Sequence, residues 1–158
     1  MTTTSAPPPA ATPRPVFTEE LDVIAAGTHQ DPHRILGAHL DGDVVTFRTL
    51  RPLADRVVIV TPDGDVEAAH EHQGVWVAAT TATAVPDYRL QVTYGDVTTT
   101  TDDPYRFLPS LGDVDLHLIR EGRHEELWTV LGANVRRYPS ALGDVTGTAF
   151  AVWEIGRA

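Results

Sequence analysis

Asp87-Tyr88-Arg89-Leu90-Gln91-Val92-Thr93-Tyr94 alternates apolar and polar side chains with a period of two, and Gly95-Asp96 then turns the chain into Val97-Thr98-Thr99-Thr100. Strict alternation over such a length is the pattern of a half-buried strand, and the Gly-Asp pair suits a tight hairpin turn. Working backwards, the same texture recurs. Val75-Trp76-Val77-Ala78 follows Gly74, Asp65-Val66-Glu67-Ala68-Ala69 follows the turn pair Asp63-Gly64, and Arg56-Val57-Val58-Ile59-Val60 and Val44-Val45-Thr46-Phe47-Arg48 precede them. About six short strands with a turn every eight to twelve residues predict a mainly β fold: a small antiparallel, immunoglobulin-like β-sandwich with short flanking helices. No helix of crossover length lies between the strands, which argues against a parallel α/β sheet.

Composition narrows the function classes. The chain has 158 residues, 42% of them apolar, which is enough for one packed domain with flanking pieces. Its formal net charge of −10 repels phosphate backbones and anionic headgroups, so neither nucleic acid nor a membrane surface is an expected partner. All basic side chains are Arg; with no Lys, Schiff-base and P-loop lysine chemistry is excluded. With no Cys, disulfide scaffolds, thiolate metal sites and thiol nucleophiles are excluded as well. No apolar run approaches bilayer length, and Met1 to Pro15 lacks the charged and apolar regions of a secretory signal, so a cytoplasmic protein is expected.

The expected organisation has four parts. Residues 1–16 form a Pro/Thr-rich tail too poor in apolar groups to order itself. Residues 17–109 form the sandwich with a leading helix, capped by Thr18, carrying Leu21, Ile24 and Ala25 on one face and stopping at Gly27. Residues 110–144 form a helical connector, with a helix over Gly122–Leu131. Residues 145–158 hold the first strand of a second, incomplete β-sandwich, since Gly147-Thr148-Ala149-Phe150-Ala151-Val152-Trp153 alternates small and bulky residues and no strand follows to pair with it.

Candidate chemistry is sparse. His70-Glu71-His72 places two imidazoles on one face of an extended segment, but a zinc site needs a further ligand, and a polar edge strand explains the pattern equally well. His29 and His33 have helical ligand spacing, which Pro32 breaks. His117, Glu121, His124 and Glu125 would form an acid/base group only by converging in a cleft, and Asp113 and Asp115 suit a helix start. No catalytic residue, metal or cofactor is therefore expected. Of the three tryptophans, Trp128 and Trp153 look like core, whereas Trp76 is the candidate to stack on a sugar ring.

One set of residues resembles a known family. Asp31-Pro32-His33…Leu36-Gly37-Ala38-His39, then Asp103-Pro104-Tyr105-Arg106-Phe107, then Asp115-Leu116-His117-Leu118…Glu121-Gly122-Arg123-His124…Leu127-Trp128…Leu131-Gly132-Ala133, then Gly147-Thr148…Phe150-Ala151-Val152-Trp153, is similar in order and spacing to the N-terminal part of bacterial 1,4-α-glucan (glycogen) branching enzymes. The resemblance implies a leading β-sandwich, a second sandwich, and a (β/α)₈ barrel of the α-amylase superfamily, whose carboxylates cut an α-1,4 chain and rejoin it through an α-1,6 link. No position here matches those carboxylates. Asn134 stands where the family has His, and Glu154-Ile155-Gly156-Arg157-Ala158 departs from the family's continuation, so the chain reads as the leading piece of a longer polypeptide. The implied partners are α-glucan, through the parent enzyme, and the barrel within the full-length chain. The alternatives are a stand-alone glucan-binding sandwich, or an inert fragment that associates through its edge around Thr146–Trp153.

Overall fold

The computed structural model describes residues 11–153. Most of the expected tail, and the divergent Glu154–Ala158, lie outside the described residues. Two compact units emerge, one running through Phe107 and one starting at Leu108.

The first unit opens with α1 (Thr18–Ala25) and continues with β1 (Gly37–Asp41), β2 (Val44–Leu50), β3 (Arg56–Thr61), β4 (Gly64–Glu67), β5 (Ala69–His72), β6 (Val75–Thr81), β7 (Arg89–Tyr94) and β8 (Val97–Thr101). These build two four-stranded antiparallel sheets, ordered β1-β2-β6-β5 and β4-β3-β7-β8. Alternation along the strands decides the core. Val45, Phe47, Trp76 and Ala78 from one sheet meet Val57, Ile59, Leu90 and Val92 from the other in a single apolar cluster. Strands β1 and β5 were not among the expected six; both are short and carry polar residues (His39 and Asp41; His70, Glu71 and His72), so neither shows an apolar alternation.

Two local expectations are corrected. The tight loop before β4 is Pro62-Asp63 rather than Asp63-Gly64, because Thr61 already pairs with Gly64. Thr18 is the first helical residue and not the cap; Phe17 holds that position in extended geometry without a side-chain bond.

The outer face of the first sheet is also covered. Leu21 and Ile24 of α1 join Ile35, Leu36 and Val75 in a second buried cluster. Beside it Arg48 is 3% exposed, and its guanidinium donates from Nε and Nη2 to the two oxygens of Glu71, at 2.7 and 2.8 Å. A bidentate pair of this kind neutralises a cation that could not otherwise be buried. One polar atom of the core is left unmatched: the Thr49 hydroxyl is buried with no partner among the described residues. Thr49→Val keeps the shape and removes that orphan, so urea unfolding should show a gain of about 1 kcal/mol.

The second unit holds α2 (Asp113–Arg120), a single 3₁₀ turn at Leu127–Thr129, β9 (Gly132–Tyr138) and β10 (Val145–Ala151). The helix thus lies before Gly122, not over Gly122–Leu131. The Asp115 carboxylate accepts the Gly112 N–H at 3.0 Å and starts it. Gly122, at φ +66°, ends it, its N–H returning to the Ile119 carbonyl. The strand expected to lack partners has one: β10 pairs antiparallel with β9 along its whole length. Gly132, Asn134, Arg136 and Arg137 hide β9 from a hydrophobic pattern. A hairpin and one helix cannot close a core, and none of the described residues from Leu108 onward is buried.

Candidate functional site

The three motifs of the first unit that carry the family resemblance meet at one place. Asp103-Pro104-Tyr105-Arg106 leaves β8 through a 3₁₀ turn, which Asp103 starts by accepting the Tyr105 N–H at 3.2 Å. The other oxygen of the same carboxylate accepts the Tyr88 hydroxyl at 2.9 Å. Asp103 is 1% exposed, and burial pushes its carboxyl above the usual carboxylate range. Burial and the neighbouring carboxylate likewise push the Tyr88 phenol up.

Gly37 lies directly against this turn. A Cβ built on it would stand 2.7 Å from the Tyr105 carbonyl oxygen, and its φ of +94° is itself forbidding for other residues. His33 completes the contact. Its ring packs edge-on against Tyr105 at 5.0 Å between centroids, and its Nε2–H donates to the Phe107 carbonyl at 3.1 Å. Arg106 ties the exit to the strand beneath by donating to the Tyr88 carbonyl and to Asp102, both at 2.9 Å.

A buried carboxyl with a raised pKa is a common signature of acid/base chemistry. Here both oxygens are engaged by the framework and no substrate could reach them. The adjoining cleft, lined by Ile24, His29, Leu36 and Tyr105 among others, measures about 80 Å³, well short of the roughly 300 Å³ at which ligand pockets begin. The arrangement is a joint that fixes where the chain leaves the sandwich. In the sequence these residues stand out as family motifs, His33 also as half of a ligand pair with His29 and Tyr88 as part of a strand, with nothing to show that they meet. The signal for their contact was Gly37, a glycine opening a strand.

The remaining candidates take ordinary structural places. His70 accepts the Gly74 N–H at Nε2, and His72 meets Asp22 at 2.7 Å, with a register shift between the two histidines. The centre of that motif, Glu71, is the residue with a structural task, as the partner of Arg48. The His29 ring accepts the Asp31 N–H. His117 and Glu121 pair on the exposed face of α2, whereas His124 turns to Asp115 at 3.1 Å. These side chains do not converge in a cleft. Among the described residues no group of three or more His, Asp or Glu is placed to hold a metal ion.

Asp115 accepts from the Gly112 N–H and from His124, and both hold its carboxyl below the usual range. The cap therefore stabilises above about pH 4 and is lost as pH falls through the lower folded value. A ¹³C titration of the Asp115 carboxyl should give a midpoint below that of an unstructured aspartate, and His124→Ala should move it back upward.

The tryptophans reverse their expected roles. Trp76 is 8% exposed, its ring is part of the sandwich core, and its indole N–H donates to the Arg51 carbonyl at 3.2 Å. It offers no face to a sugar: β6 is a central strand, and its residues from Val75 to Ala78 are buried whichever face of the sheet they lie on. Trp128 and Trp153, expected in a core, are 70% and 45% exposed, because their unit has no second layer.

Comparison with known proteins agrees with the sequence resemblance. A family described as "alpha-1,4-glucan branching enzyme GlgB, N-terminal domain" matches residues 17–105. The 1,4-alpha-glucan branching enzyme GlgB of Thermobifida fusca is 55% identical over 136 residues, covering 85% of this chain and 18% of the relative. That of Mycolicibacterium paratuberculosis is 49% identical over 135 residues, again 85% and 18%. That of Kitasatospora aureofaciens is 46% identical over 150 residues, 94% of this chain and 19% of the relative. The chain thus spans less than a fifth of the length of these relatives. It belongs to the family of the GlgB N-terminal domain, the non-catalytic leading region of 1,4-alpha-glucan branching enzymes.

Proposed function

We propose that this chain serves as the leading scaffold of a cytoplasmic 1,4-alpha-glucan branching enzyme, which moves α-1,4-glucan segments to α-1,6 branch points in glycogen synthesis. The catalytic carboxylates lie elsewhere in that enzyme. The module's part is to dock on the rest of the chain and so to influence the length of glucan segment transferred.

The observation that carries this reading is the joint at Asp103. The motifs shared with the family spend their polar groups on Tyr88, Tyr105 and Phe107, so they hold a connector in place and do no chemistry on a substrate. The exposed Trp128, Phe150 and Trp153 of the second unit support the docking role, since they offer apolar surface that further protein would bury.

Two measurements check it. The isolated chain, incubated with amylose, should leave the iodine absorbance unchanged; sustained branching would defeat the proposal. The Thermobifida fusca relative lacking the region aligned to residues 17–105 should still branch amylose, with a shifted distribution of branch lengths. An unchanged distribution would remove the chain-length role.

A further inference from the structure

We infer that residues 12–16 are a latch: their main chain is clamped across the outer face of the β1-β2-β6-β5 sheet, seals a buried ion pair from water, and releases without unfolding of the sandwich. The sequence prepares the segment for this. It reads Thr12-Pro13-Arg14-Pro15-Val16. Each proline fixes its own φ and pushes the residue before it into extended geometry, so docking has little conformational freedom left to remove. The segment lies upstream of residues 17–105, the part that the family match covers.

Strand β2 supplies the clamp. Val45 and Phe47 point into the sandwich core, so Thr46 and Arg48 lie on the opposite face of the sheet. The Thr46 hydroxyl accepts the Arg14 N–H at 2.8 Å, and the Arg48 guanidinium donates from Nη2 to the Arg14 carbonyl. Two side chains one pleat apart thus engage both main-chain groups of a single residue, as a neighbouring strand would. Val16 packs against the buried cluster that α1 builds on the same face. Arg14 itself is exposed, and both of these bonds are to its backbone, so the clamp reads main chain and not side chain.

The Arg48–Glu71 pair gives the latch its purpose. Nε and one Nη2 hydrogen of Arg48 go to the two Glu71 oxygens, and the Arg14 carbonyl takes a further Nη2 hydrogen that Glu71 leaves over. A guanidinium that is 3% exposed needs such acceptors, because a buried donor left unmatched is costly. The hold is nonetheless small. Two hydrogen bonds and one half-buried valine are weak beside two four-stranded sheets, and water can solvate Thr46 and Arg48 once the segment lifts. Segments held by so few contacts open locally, below the free energy of global unfolding.

Amide hydrogen exchange, followed by NMR on the full chain, reads the latch directly. The Arg14 amide should exchange about tenfold or more slowly than in an unstructured peptide of the same sequence, the factor that one net hydrogen bond supplies, while the exposed Thr12 amide keeps the peptide rate. Arg14 should still exchange far faster than the fully buried Leu90 of β7, and low urea should leave its rate unchanged, because local opening exposes little surface. Thr46→Val removes the acceptor and should bring Arg14 to the peptide rate, with Leu90 unaffected. Thr46→Ser keeps a hydroxyl and should retain the protection, as should Arg14→Ala, which leaves the main chain as it was. An Arg14 amide at the peptide rate in the unaltered chain would overturn the inference, since nothing would then be clamped. So would an Arg14 amide as slow as Leu90, or a Thr46→Val chain in which both amides speed up together, since the segment would then be part of the cooperative fold. Protection at Arg14 that survives Thr46→Val would also overturn it.

Discussion

Phe47→Ala should lower the unfolding free energy by about 3–5 kcal/mol, the range for truncating a buried aromatic ring. Phe47 is 1% exposed at the centre of the sandwich, and its ring meets Tyr88 edge-on at 5.0 Å. The loss therefore has two parts: apolar surface no longer removed from water, and a cavity that two tightly hydrogen-bonded sheets cannot collapse to fill. Since a domain of this size is held by only some 5–15 kcal/mol, the substituted chain should show a lowered urea midpoint and early thermal unfolding. Phe47→Leu, which retains most of the volume, should cost far less. If alanine and leucine unfold alike, Phe47 is not the packing centre assigned to it.

Asp103→Ala should cost about 3 kcal/mol by a different route. It leaves the Tyr88 hydroxyl and the Tyr105 N–H without an acceptor inside the protein, and each unpaired buried donor costs about 1–3 kcal/mol. Asp103→Asn should be much milder. The amide oxygen can serve the Tyr105 N–H while the Tyr88 hydroxyl reverses and accepts from the amide nitrogen. Charge gives the same ordering. Burial makes the Asp103 carboxyl titrate above its ordinary value, so between the ordinary and the raised value the folded state keeps a proton that the unfolded chain has released. Its contribution is full in acid and declines as pH rises through the folded value, so losing the charge is no handicap. Tyr88 shifts in the same direction, and the stability it supplies is present below about pH 10 and lost above. Urea unfolding followed from neutral to alkaline pH should therefore fall off above pH 10, and Tyr88→Phe should flatten that fall. The two substitutions at positions 47 and 103 share Tyr88, so together they should depart from additivity.

Where burial faces one side of a strand, the pattern was plain in the chain: Leu90 and Val92 alternate with Arg89, Gln91 and Thr93 and mark β7 directly. The strands β1 and β5 were not legible, since Gly37-Ala38-His39-Leu40-Asp41 and Ala69-His70-Glu71-His72 are short and too rich in polar residues to show an apolar alternation. In the second unit Glu125 and Glu126 next to Leu127, Val130 and Leu131 suggested a helix, yet Asp115 and Gly122 set its two ends earlier in the chain. The functional reading fared similarly. The family was recognisable from the order of short motifs, while the task of each motif was not.

Sequence alone determined the fold class, six of the eight strands of the sandwich, the family, and the chemistries excluded by having neither cysteine nor lysine, because these follow from residue type and local period. Tertiary structure decided what each polar or aromatic residue does. Trp76 became core, Trp128 surface, Glu71 the counter-ion of Arg48, and Asp103 the anchor of a joint. Those roles depend on which segments, far apart in the chain, are brought within a few ångströms, as Gly37 and Tyr105 are. Period and propensity describe a residue's neighbours along the chain, and only packing supplies the neighbours across it.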